Sequence, residues 1–224
     1  MRSRREWVVR AATLLMVALA LYAALVATPA DVVTGDRVRV LYVHVGSAWT
    51  AYLAYAVTAV AAVGFLVRRT HHWDRIALAS AELGLVLTTL TLVTGMLWGR
   101  ATQGWWWRWD DARLTLTLLL WFMIVAYLIL RQYTEGERRA TLSAVLALAA
   151  VPAMILNHFA VLIFPAFHPA PVAVRAGGPA LAPPFVAGLG LAVVACSLVY
   201  LTLLLERIRL EVRRDELVAL DGGS

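Results

Sequence analysis

Six long apolar runs, separated by short arginine-bearing segments, constrain this chain more than any other feature. A run of about 18 or more apolar residues can cross the hydrocarbon core of a bilayer as a helix, which satisfies its own backbone hydrogen bonds there. The runs fall at 8–28, 45–67, 76–98, 114–130, 140–163 and 185–205. The fourth is short but nearly uniform, reading Leu-Leu-Leu-Trp-Phe-Met-Ile-Val at its centre. Six spans in 224 residues leave little chain for a separate soluble domain, and no long linker, low-complexity segment or internal repeat divides it. The expected fold is therefore all-α: a polytopic six-transmembrane-helix bundle, one domain over 1–224. Composition agrees, with 62% apolar and 15% charged residues, where soluble domains carry roughly a quarter charged.

Arginine sets the orientation. The chain has no lysine, so all 20 cations are Arg. With the N-terminus inside, the inner segments hold 14 of them and the outer segments 6. The positive-inside rule then places both termini in the cytoplasm. The net charge of +6 follows from topology and contact with anionic lipid, and gives no argument for nucleic-acid binding. The first run has the basic start of a signal peptide (Arg2, Arg4, Arg5) but is too long for an h-region and lacks a clear cleavage site, so an uncleaved helix is expected. Cys196 lies inside the last run, where a small apolar residue packs well and no redox role is expected. The inner loops around 68–75 and 131–139 read as ordinary charged connectors, with His71 and His72 as solvated polar residues.

The unusual chemistry sits in the outer loops, 29–44, 99–113 and 164–184. Trp98, Trp105, Trp106, Trp107 and Trp109 are five of the nine tryptophans, gathered into twelve residues. Interfacial tryptophans normally form a belt spread over several helix ends. Four indoles within five consecutive residues suit either an amphipathic loop on the membrane surface or a stacking platform for a flat ligand. Asp110, Asp111 and Arg113 supply polar edge groups beside them. His44, where the first outer loop meets the second helix, and His168, in the third outer loop, share that side of the membrane. Each alone reads as an interfacial anchor. Together with the Trp loop they describe a porphyrin flanked by two imidazoles, since imidazole is a common axial ligand of haem iron. His158, near the outer end of the fifth helix, reads as a contact to a neighbouring helix.

The run Trp105-Trp106-Trp107-Arg108-Trp109-Asp110, with Arg113-Leu114-Thr115 after it, resembles the WWD signature of the haem-handling protein superfamily. Within it, the chain is most similar to CcmC, the haem exporter protein C family of cytochrome c maturation. Leu41-Tyr42-Val43-His44-Val45 with Ala48-Trp49 resembles that family's first His segment. Trp98-Gly99-Arg100 resembles the entrance to its loop, and Asn157-His158-Phe159 with Phe167-His168 resembles its second His segment. The match runs in order over about 37–205. Three departures stand out. Gly46 replaces a usual Pro, Asp111 is one residue extra before Arg113, and 160–167 lacks the family's acid and paired Trp.

The resemblance implies haem b held as transient cargo at the periplasmic face of the inner membrane, on Trp98, Gly104, Trp105, Trp106, Trp107, Trp109, Asp110 and Arg113. His44 and His168 would be the axial ligands. It further implies delivery to the haem chaperone CcmE, association with CcmA, CcmB and CcmD in an ABC-type complex, and no enzyme activity of the chain's own. No GxxxxGK[ST] pattern is present, so ATP chemistry would belong to a partner. Two other function classes remain in view. A di-haem quinol-oxidising cytochrome needs His pairs deep within helices, and the inner-side histidines are instead adjacent in a charged loop. A permease subunit would mark its path with intramembrane ionisable residues. Here only Glu82 qualifies clearly, and a single acid more often bonds a neighbouring helix.

Overall fold

The computed structural model describes residues 4–164 and 181–221. Among these residues there are six helices long and apolar enough to cross a membrane. They are α1 (Arg4–Tyr22), α2 (Arg39–Arg68), α3 (His71–Gln103), α4 (Ala112–Gln132), α5 (Gly136–Ile163) and α6 (Pro183–Asp221). A π-helical turn over Ala23–Ala27 extends α1, and a 3-10 turn over Asp36–Val38 leads into α2.

Most helices outrun their apolar segments, because hydropathy marks only the part embedded in hydrocarbon. The 39 residues of α6 span about 58 Å at a rise of about 1.5 Å per residue, against a hydrocarbon core of about 30 Å. Two expected boundaries shift in consequence. His44 lies in the second turn of α2 rather than at its start, and Trp98 to Gln103 are helical. The loop expected over 99–113 shortens to 104–111. Each end of it has a chemical stop. Gly104 closes α3 in the left-handed region (φ 85°), open to a residue without Cβ. Asp111 caps α4, its carboxylate accepting from the amides of Arg113 (3.0 Å) and Leu114 (3.1 Å). The extra acid of the sequence is thus a helix cap, fully buried.

α2 is the centre of the bundle, packed on α3, α5 and α6, while α1 lies against α6. Small residues allow the close approach: Ala54, Ala62, Ala79 and Ala81 are all completely buried, as expected where helices meet in lipid. Gly46 belongs to this pattern. A Cβ there would lie 2.8 Å from Cys196 Sγ and 3.3 Å from the Ala192 carbonyl oxygen, so α2 and α6 touch at this point.

Ion pairs tie the end of the bundle where α1 begins and α6 ends. Arg10 pairs with Glu206, and Arg209 with Glu6 at 2.8 Å. Glu82 is held by Arg207 of α6 (Nη2 to Oε1, 2.8 Å), so the one clear intramembrane acid bonds a neighbouring helix. The segments read as ordinary connectors contain more than that. Arg131 of α4 grips Asp74 of α3 through two bonds of 2.6 and 2.8 Å, with both side chains about nine-tenths buried.

Candidate functional site

At the opposite end, the short loop folds over a cavity between α2, α3 and α4, with Asn157 of α5 closing one side. Its enclosed space is about 90 Å³, and about 880 Å³ with the gaps between side chains and the open mouth included. Tyr55, Thr88 and Leu120 form part of its wall deep in the bundle. From His44 to Tyr55 along α2 the cavity extends about 16 Å.

His44 stands in this wall. Its Nδ1 is 3.0 Å from Thr94 Oγ1. The Thr94 hydroxyl also lies 2.7 Å from the Leu90 carbonyl oxygen; when it donates there, Nδ1 of His44 is the donor in the pair. That tautomer places the ring's lone pair on Nε2, the arrangement that a second partner imposes on metal-binding imidazoles. Gly95 makes room for the ring: a Cβ there would stand 3.1 Å from His44 Cε1.

The tryptophans divide into two sets. Trp98, Trp105 and Trp107 line the cavity. Trp105 lies over Gly99, where a Cβ would come within 2.8 Å of the indole. Trp106 and Trp109 are 54% and 72% exposed and face outward. The Arg100 guanidinium stands over Trp106 at 6.0 Å from the ring centre, and Trp107 meets Trp109 edge-on at 5.5 Å. Three of these rings thus line the cavity and two face outward.

The polar groups divide as well. Asp110 is exposed and bound to Arg108 (Nε to Oδ1, 3.0 Å), and that hydrogen bond holds its carboxyl below the usual value. Arg113 lines the cavity with His44, and the turn made by Asp111 sets its direction. Gly104 is the exposed turn residue at the loop's entrance. His158 is exposed, its ring edge-on to Tyr52 at 5.9 Å and outside the cavity wall. His168 lies outside the described residues, as does the end of the altered segment before it. Sequence reasoning missed Thr94 and Tyr52, and gave Asn157 only as a member of the second His segment. Thr94 and Tyr52 are distant along the chain from the motif, and a threonine or tyrosine in an apolar helix carries no signal of its own.

The model of a protein family, described as heme exporter protein C, CcmC, matches residues 1–221. The chain belongs to the CcmC family. It is 35% identical over 205 residues to the heme exporter protein C of Bradyrhizobium diazoefficiens, covering 91% of this chain and 77% of that protein. With the heme exporter protein C of Rhodobacter capsulatus it shares 32% over 217 residues, covering 96% and 89%. It is also 38% identical over 115 residues to a putative cytochrome c biosynthesis ccmC-like mitochondrial protein of Arabidopsis thaliana, covering 51% of this chain and 44% of that one. In this CcmC chain the motif's residues split between the cavity and the surface, and the cavity residues come from four helices as well as the loop.

Proposed function

We propose that this membrane protein binds haem b as transient cargo in the cavity beneath its Trp loop and passes it on for c-type cytochrome assembly. The observation that carries the reading is the convergence of His44, Trp105, Trp107 and Arg113 on one cavity in a chain of the CcmC family. The porphyrin rests against Trp105 and Trp107. His44 Nε2 supplies one axial bond, with its tautomer set by Thr94. His168, from the last loop, supplies the other. Two imidazoles suit oxidised iron and close its reactive positions until transfer. Trp98 packs at the cavity wall, while Trp106, Trp109, Gly104 and Asp110 present the loop's outer surface. That surface is the part a receiving chaperone would meet, and family resemblance names CcmE as the receiver, with CcmA, CcmB and CcmD as further partners.

The arginine distribution supports an inner-membrane orientation with both termini cytoplasmic and the Trp loop periplasmic. The Arg207 partner of Glu82 argues against the permease reading, because an acid already engaged across a helix interface is poorly placed to mark a solute path. The test is purification from membranes followed by a haem stain and an absorption spectrum. The expected result is about one haem per chain with a six-coordinate, low-spin spectrum. Protein that copurifies with no haem, and takes up none when it is added, would overturn the reading.

A further inference from the structure

The cavity has a charge balance that stacking does not explain. Arg113 is in its wall, and among the described residues no Asp or Glu lines it. Of the two acids after the tryptophans, Asp110 bonds Arg108 and Asp111 caps α4 through Oδ1, its buried Oδ2 having no partner among the described residues. The wall also holds polar atoms short of partners. Among the described residues Trp107 Nε1 and Asn157 Oδ1 are buried without a hydrogen-bond partner, and Tyr52 Oη has none besides the Arg113 side chain. The Tyr52 hydroxyl lies beside the Arg113 guanidinium, whose charge also reaches His44. Asn157 donates to Thr117 Oγ1 at 3.0 Å through Nδ2, and that bond pins its side chain at the edge of the same cavity.

A buried donor with no acceptor is costly and rare in folded proteins. An indole N–H can only donate, and a guanidinium can only donate. A phenol turned toward them donates too. Grouped around one cavity with no carboxylate in its described lining, they form a receptor for an acceptor-only, negatively charged group. A carboxylate has that character: it is planar, carries lone pairs for several donors, and pairs with guanidinium through both oxygens.

We propose that Arg113, the Tyr52 hydroxyl and the Trp107 indole N–H form a carboxylate cradle that selects a flat ligand by its acid groups. The inference rests on the haem reading above and assigns this edge of the cavity to the haem propionates. Trp107 then has two roles, its face for the ring and its N–H for the acid. Tyr52, absent from the WWD motif, becomes a specificity residue.

The experiment titrates the full chain, in detergent or nanodiscs, with haem and with haem dimethyl ester, which keeps iron and ring and masks both acids. The parent protein is expected to prefer the diacid by about tenfold or more. Tyr52→Phe and Trp107→Phe, which keep the rings, should each pull the ratio of the two affinities toward one. Arg113→Gln should pull it furthest. Metal-free protoporphyrin IX and its dimethyl ester should show the same preference, because the cradle does not involve the iron. Equal binding of acid and ester by the parent would overturn the proposal. So would variants that weaken both ligands in parallel, the signature of packing alone, or a preference that disappears without iron. If the parent binds neither haem nor its ester, the haem reading itself falls and the cradle falls with it.

Discussion

At the scale of single residues, how a side chain is oriented matters as much as which side chain is present. His44 is presented by Thr94 through a 3.0 Å contact to Nδ1. Groups that orient a ligand imidazole typically change metal affinity by about ten- to a hundredfold when removed. Thr94→Val should therefore weaken haem binding by about tenfold and broaden the low-spin signal, and Thr94→Ser should restore both. Equal spectra for the parent and Thr94→Val would show that the hydroxyl has no part in presenting the ligand. The tryptophans give a second residue-scale prediction. Replacing Trp105 and Trp107 by Ala should lower haem occupancy, each ring contributing about 1–3 kcal/mol by analogy with stacking on bases. Replacing Trp106 and Trp109, 54% and 72% exposed, should leave occupancy near that of the parent and affect hand-over instead. A haem titration on the two double variants separates the pairs, and equal losses would contradict the division.

At the scale of elements, the six spans were legible because each bilayer crossing demands a long apolar run, and no other reading of those runs satisfies the backbone. Their ends were less legible. Arginines such as Arg39 and Arg100 continue helices beyond the hydrocarbon, so the hydropathy boundary and the helix boundary differ. The Asp74–Arg131 pair was hidden for the same reason, since charged residues at an expected connector read as solvated. Its side chains are 10% and 8% exposed, and removing one partner of such a pair costs about 3–5 kcal/mol. Asp74→Ala should accordingly lower the thermal midpoint in detergent far more than Glu137→Ala, whose pair with Arg69 is well exposed. The Trp loop makes a further prediction in acid. The hydrogen bond from Arg108 holds the Asp110 carboxyl below its usual 3.8. A lowered carboxyl contributes stability above its unfolded value and loses it as pH falls through the folded one. Tryptophan fluorescence of the loop should thus stay flat from neutral pH until below 3.8, and Asp110→Asn should lack the acid transition.

At the scale of the whole molecule, a bundle with two chemically different ends carries the function. One end is laced by ion pairs among α1, α3, α4 and α6. The other holds an aromatic cavity with a cation and, among the described residues, no acid in its wall. The candidate site was half legible in the sequence. The motif's indoles, Arg113 and His44 stand out by type and spacing. Thr94 and Tyr52 become site residues only when α2 and α3 pack together, which no local pattern announces, and Asn157 joins them from α5. Orientation is tested at Gln103, the exposed last residue of α3. In a Cys196→Ala background, Gln103→Cys should react with a membrane-impermeant thiol reagent in intact spheroplasts, and reaction only after lysis would invert the topology. The central claim, that haem iron is bound in the cavity by His44, is tested most directly by the absorption spectrum of purified His44→Gly with and without added imidazole. The account predicts loss of the low-spin signal in the variant and its return when imidazole refills the opened axial position. A low-spin spectrum unchanged by the substitution would contradict it.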